Sequence, residues 1–336
     1  MHTIHMSIYV LGFLIALALL FDFMNGFHDA ANAIATVVST GVLKPQTAVA
    51  MAAVFNFIAI GVFGLGVAAT VGKNIIDPLV VDQYVIFGAL VGAILWNIVT
   101  WYYGLPSSSS HALVGGLVGA AVAKAGTGAL VGNGLLKTLL FIIVSPVFGF
   151  ILGSTILLIV SWVFVKSTPR KVDTMFRRLQ LASAAAYSLG HGGNATQKTI
   201  GIIWMLLIFA GHVLPTDDAP PYWVVICCYA AISFGTLFGG WRIVKTMGQK
   251  ITRLKPVGGF CAESGGAITL FVASALGVPV SSTHTITGAI VGVGAAQKMS
   301  RVRWGVAGNI VWAWIFTIPA SAFMAAIAWW LGARIL

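Results

Sequence analysis

The chain has 336 residues, of which 59% are hydrophobic and 8% charged, and its mean hydropathy is +0.97. A soluble globular protein carries roughly 25% charged residues to cover its surface, so disorder, a collagen-like fibre and a water-exposed enzyme are excluded. The formal charge of +11 comes without a clustered basic surface that would read nucleic acid, and it calls for a topological explanation instead.

Apolar runs long enough to cross a bilayer recur at about residues 8 to 38, 46 to 70, 84 to 104, 135 to 165, 181 to 214, 222 to 240, 258 to 277 and 304 to 333. Several exceed the ~20 residues that a spanning helix needs, and a run of ~31 residues would be ~46 Å long against a hydrocarbon core of ~30 Å. Such runs are expected to be two broken or tilted pieces. The first is not expected to be a cleaved signal peptide, because it lacks a basic start and carries Asp22, Asn25, His28 and Asp29. Cys227, Cys228 and Cys261 fall in apolar stretches and read as packing residues. Trp96, Trp101, Trp162, Trp223, Trp241, Trp304, Trp329 and Trp330, near span ends, read as interfacial anchors.

Orientation follows the basic residues. Lys44, the cluster from Lys166 to Arg178, the cluster from Arg242 to Lys255 and the group Lys298, Arg301 and Arg303 belong inside, whereas Asp77, Asp82, Asp217 and Asp218, opposed only by Lys73, belong outside. The amino terminus then lies outside. Lys124 and Lys137 fall on the wrong side. The chain divides into a first membrane repeat over 1–165, a basic cytoplasmic linker over 166–180 and a second repeat of opposite orientation over 181–336.

The repeat is visible in the residues. GLPSSSSHALVGGLVG from Gly104 and GVPVSSTHTITGAIVG from Gly277 are identical at eight of 16 positions. A weaker pair aligns GFHDAANAIA from Gly26 with GGNATQKTIG from Gly192, identical at the glycine and at Ile34 and Ile200. The offsets, 173 and 166, agree within one loop insertion. A unit duplicated in opposite orientations is how many secondary transporters are built, with the site at mid-membrane between the copies and formed by interrupted helices. The expected fold is therefore an all-α polytopic membrane protein of two inverted repeats with re-entrant hairpins.

PSSSSH from Pro106 and PVSSTH from Pro279 each follow an apolar run and precede a Gly-rich one, so each falls at a helix break. Proline opens the break, hydroxyls are good N-caps, and the following helix N-terminus presents free N–H groups and partial positive charge to an anion. Ser108, Ser109, Ser110 and His111, with Ser281, Ser282, Thr283 and His284, are thus candidate ligands of a tetrahedral oxyanion. The plainer alternative is that the hydroxyls only cap buried helix ends.

Asp22, Asn25 and Asp29 recur at spacings of three and four, which puts them on one helical face. With His28 and Asn32 they lie inside a run that must cross the bilayer, where carboxylates usually belong to ion or proton pathways. The second copy supplies His191, Asn194, Gln197 and Lys198, the last either a fixed counter-charge or a side chain snorkelling to the interface. Glu263 is a third acid at membrane depth and a candidate proton carrier. A Ser/His pair also raises an intramembrane serine hydrolase as the alternative of another class, although duplication favours symmetric binding over catalysis. No HxxxH, CxxC or carboxylate cluster points to a permanent metal.

NGFHDAANAIATVVSTG from Asn25, PSSSSH from Pro106, GHGGNATQKTIG from Gly190 and PVSSTH from Pro279, in that order, resemble the inorganic phosphate transporter family over most of the chain. The resemblance implies two inverted repeats, phosphate held at the two hydroxyl loops with His111 and His284 beside them, and coupling at Asp29 and Asn32 with Asn194, Gln197 and Lys198. Where the sodium-coupled pattern reads GAND, His28 replaces the asparagine of the first block and Ala195 the aspartate of the second. With Lys198, this resembles the bacterial proton-coupled branch, which implies a bacterial inner membrane with the amino terminus in the periplasm. The partners this implies are inorganic phosphate, protons rather than sodium, a divalent metal ion carried with phosphate, the lipid bilayer and a second copy in a homodimer, with no cofactor. A carrier of another oxyanion such as sulfate is the nearest alternative.

Overall fold

The computed structural model of the protein describes residues 6–73 and 75–335. The amino-terminal end assigned to the outside lies beyond the described residues, as does the Lys73 side chain. The first half holds α1 (Ile8–Ser39), α2 (Pro45–Ile58), α3 (Gly66–Lys73), α4 (Gln83–Tyr103), α5 (Ser109–Ala125) and α6 (Gly132–Val163). The second holds α7 (Pro169–Phe209), α8 (Tyr222–Phe238), α9 (Trp241–Lys245, continued by a π turn to Lys250), α10 (Pro256–Ala275), α11 (Ser282–Gln297) and α12 (Trp304–Ile335). Helices α1, α4, α6, α10 and α12 are long and apolar enough to cross a bilayer, and the bent pairs α2 with α3 (87°) and α8 with α9 (62°) add two more spans if each counts as one. The chain is thus an all-helical, multi-pass membrane protein.

The breaks fall elsewhere than run length suggests. Helices α1, α6 and α12 continue without interruption for 32 residues each and α7 for 41, while the shorter run 46–70 is broken within and the run 222–240 bends at its end, between α8 and α9. Partner supply explains this. Only 22% of the most apolar stretch of α6 and of α12 is buried, so a break there would leave N–H and C=O groups facing hydrocarbon with nothing to bond. At the start of α3 protein supplies the partner, since Gln197 Oε1 accepts from the Val67 and Ala68 N–H groups at 3.0 and 3.3 Å. The basic segment 166–180 is helical from Pro169, which sits in the first turn of α7 where its missing N–H costs nothing.

The halves exchange arms. Helix α6 lies along α10 and α11, and α12 lies along α4 and α5. A Cβ on Gly115 or Gly119 would fall 2.6 and 2.1 Å from the Ile318 and Ala322 carbonyls of α12, and one on Gly288 or Gly292 would fall 2.1 and 2.3 Å from the Pro146 and Phe150 carbonyls of α6. These four glycines are matched positions of the repeated segment, so its identities are packing requirements as well as loop chemistry. The weaker repeat behaves likewise: Gly26 abuts the Ile232 carbonyl of α8 and Gly192 the Asn56 carbonyl of α2. Small residues let backbones approach this closely where no hydrophobic force drives helices together in lipid.

Two apolar clusters bracket a polar layer. Helix α1 gives Leu11, Leu14, Ala18 and Phe21 to one and Ala31 to Val37 to the other, and α7 gives Ile200 to Leu207 to the first and Ala184 and Tyr187 to the second. Between them on each helix lies a polar block, Asp22 to Asp29 and His191 to Lys198. Trp96 donates from Nε1 to Thr317 Oγ1 at 3.1 Å and ties α4 to α12, whereas Trp162 and Trp330 are exposed. Lys124, an exception to the charge rule, is neutralised by Asp82 at 2.7 Å.

Candidate functional site

The two hydroxyl loops are the turns of two helical hairpins, α4 with α5 and α10 with α11. Gly104 and Gly277, both with φ of 65°, end the first helix of each, a conformation that costs a Cβ-bearing residue free energy. Ser108 and Ser281 then cap the second helix, accepting from the His111 and His284 main-chain N–H at 3.3 and 3.1 Å. Capping is therefore the observed task of these two serines. The following hydroxyls turn toward α1 and α7.

Both loops converge on one carboxylate. Ser109 Oγ donates to Asp29 Oδ1 at 3.1 Å and Ser282 Oγ donates to Asp29 Oδ2 at 3.4 Å. On the same carboxylate, His28 Nδ1 lies 2.9 Å from Oδ1 and His191 Nε2 lies 3.8 Å from Oδ2. Thr100 Oγ1 holds the far nitrogen of His28 at 3.1 Å, and Asn56 Oδ1 holds that of His191 at 3.2 Å. Every one of these groups is buried. A buried carboxylate is tolerated only when hydrogen-bonded, and Asp29 is the most fully supported acid of the layer.

Each polar helix also reaches the other half's loop. Asn32 Nδ2 donates to Thr283 Oγ1 at 2.9 Å and Ser282 Oγ at 3.3 Å. Its repeat counterpart Lys198 donates from Nζ to Ser110 Oγ at 2.6 Å and to the Val280 carbonyl at 2.7 Å. Asn194 holds the second loop in shape, accepting from the Val280 N–H and donating to Ser274 Oγ and the Val278 carbonyl, all at 3.1 Å. Tyr187 donates to the Ser282 carbonyl at 2.8 Å. The rings of His111 and His284 meet edge to face at 4.3 Å, with His284 stacked on Trp314 at 3.8 Å.

Four candidates stand apart from the cluster. Gln197 is committed to capping α3. Asp22 is buried beside Asn25 and Thr199 without a hydrogen bond of normal geometry, and the Asn25 oxygen is also unpaired. Glu263 bonds Gln180 at 2.9 Å and Ser183, linking α10 to α7 away from the loops. Sequence reading missed Thr100, Asn56, Tyr187, Trp314 and the Val280 carbonyl. For Asn56 and Thr100 the signal was present, a polar side chain inside an apolar run; for a main-chain carbonyl no sequence signal exists.

Comparison with known proteins decides the family. A model described as the phosphate transporter family matches residues 25–325, from the first polar block to α12. The chain belongs to the phosphate transporter family. A probable low-affinity inorganic phosphate transporter of Rhizobium meliloti (strain 1021) is 63% identical over 94% of each chain, and one of Bacillus subtilis (strain 168) is 46% identical over the same shares. A solved structure of a sodium-dependent phosphate transporter matches with a TM-score of 0.89 at 26% identity, covering 98% of this chain and 100% of that one. Membership in this transporter family removes the hydrolase alternative. The geometry agrees for the pair that raised it, since among the described residues neither His111 nor His284 makes a ring hydrogen bond to a serine.

Proposed function

We propose that the protein takes up inorganic phosphate by alternating access in the inner membrane, driven by protons, with the basic loops cytoplasmic and the two halves inserted in opposite orientations. The reading is carried by one observation, the convergence of both hydroxyl loops on Asp29. Hydroxyls and helix N-termini are neutral donors, suited to a site that must release its anion as well as bind it. Ser109, Ser110, Ser282 and Thr283 are the proposed phosphate donors: Ser109 and Ser282 now donate to Asp29, which phosphate would replace as acceptor, while Ser110 and Thr283 accept from Lys198 and Asn32 and keep their own protons for the anion.

Asp29 is the proposed proton carrier. While it is ionised, Ser109 and Ser282 direct their protons to it; once it is protonated they are released to an incoming anion, and a carboxylate no longer repels phosphate. Binding of proton and phosphate thereby favour one another, as symport requires. The solved neighbour is sodium-dependent by name; the absence of a second carboxylate at Ala195 supports protons here. A divalent metal ion carried with phosphate as a neutral complex belongs to the same proposal, as does a homodimer.

The test is uptake of radiolabelled phosphate into proteoliposomes under imposed pH or sodium gradients, with and without magnesium. Accumulation driven by an inward proton gradient is the expected result; accumulation driven by sodium alone rejects proton coupling. Sulfate competing as well as phosphate itself would make the chain a general oxyanion carrier.

A further inference from the structure

Superposing the two copies by sequence pairs Asp29 with Ala195 and Asn32 with Lys198. The second half has therefore lost a carboxylate and gained an ammonium at matched steps of the polar helices. The bonds at the two steps are also matched. Asn32 donates to Thr283, and Lys198 donates to Ser110, which is the residue paired with Thr283 in the loops. Only the lysine makes a second bond to a main-chain carbonyl, that of Val280, one residue before the Ser281 cap and outside any helix.

The ammonium is thus held by a hydroxyl oxygen of one loop and a carbonyl oxygen of the other. Unwound main-chain carbonyl oxygens are what coordinate sodium or protons in many secondary transporters, and a hydroxyl oxygen offers a second lone pair of the same hard kind. Lys198 is buried, and among the described residues no carboxylate lies within ion-pair distance of it. A buried ammonium without a touching carboxylate is costly unless the position itself favours a cation. Snorkelling does not apply, because the charge lies in the polar layer between the two apolar clusters.

We infer that the Lys198 ammonium is a tethered cation, filling a monovalent-cation position between the two hydroxyl loops, so that no free sodium ion is taken there. The inference rests on the reading of the site as a phosphate carrier and adds the reason for its ion requirement. The tethered group supplies from the chain itself what a free ion would supply only when bound.

The experiment compares sodium with choline for the unmodified chain and for Lys198→Asn combined with Ala195→Asp, which gives the second half the pattern of the first. Phosphate affinity of the purified protein in detergent is read beside uptake in proteoliposomes. The unmodified chain is expected to respond to sodium by less than about twofold, and the double variant to gain about tenfold in phosphate affinity with sodium, within the usual range of coupling between two ligands. A folded double variant indifferent to sodium overturns the inference, and so does sodium-stimulated phosphate binding by the unmodified chain, which decides the matter even if the variant does not fold. Failure of the unmodified chain to bind or move phosphate at all defeats the underlying reading instead.

Discussion

Ser109 and Ser282, 173 residues apart and at the same step of the two copies, donate to opposite oxygens of the single Asp29 carboxylate. One acid thus reads the state of both loops, although it belongs to only one copy.

Removing either serine is expected to have the same effect as removing the other. A hydrogen bond to a charged group contributes about 1.5–3 kcal/mol, so Ser109→Ala and Ser282→Ala should each weaken phosphate uptake by roughly one to two orders of magnitude at limiting phosphate. Initial-rate measurements across phosphate concentrations check this, and a large inequality between the two would show that the loops do not share the anion.

Asp29→Asn keeps the size and loses the charge. Phosphate exchange across the membrane should survive at a reduced rate, while concentrative uptake under an inward proton gradient should vanish. Undiminished accumulation in that variant would remove Asp29 from the coupling mechanism.

Glu263 separates a local role from a transport role. Glu263→Ala would leave the Gln180 amide N–H without its acceptor in a buried place and Ser183 with only the Gln180 carbonyl, a cost of about 1–3 kcal/mol for the unpaired donor, and should lower the melting temperature in detergent. Glu263→Gln keeps an acceptor for these donors and should melt close to the unmodified chain. If Glu263 carries protons, Glu263→Gln loses proton-driven accumulation despite normal stability; full accumulation would confine the residue to holding α10 against α7.

Gly119→Leu and Gly292→Leu test the exchanged arms. A Cβ at either position falls within 2.3 Å of a carbonyl of the partner helix, and overpacking typically costs about 1–3 kcal/mol or more. Both variants should lower thermal stability in detergent. Gly12→Leu, where nothing lies within 4 Å of the added atom, is the control expected to change nothing.

Residues that occur twice were the legible ones. PSSSSH and PVSSTH announced helix breaks, caps and a shared site, and the structure brings these two segments together. Asp29 was legible because a carboxylate in an apolar run needs a reason to be there. Gln197 was misleading, since a polar side chain on the buried face of α7 looks the same in sequence whether it caps α3 or faces a substrate. Length alone left α6 and α12 either broken or tilted, and their continuity was not legible, because whether a helix can break depends on which neighbours satisfy its backbone, and those neighbours lie far along the chain. His28 meets Thr100 from 72 residues away and Lys198 meets Val280 from 82, separations that no local pattern encodes.

The crossing of α12 over α4 and α5 sets a schedule for biogenesis. The glycine face of α5 is complete once Ala125 has been made, but its cover begins only at Trp304. At synthesis rates of about 5–20 residues per second, the first hairpin waits roughly ten to forty seconds in the membrane with its seam open. Nascent chains released before α12 emerges would present that seam to lipid and to quality-control proteases, so truncation near the carboxyl end should be as damaging as truncation near the middle.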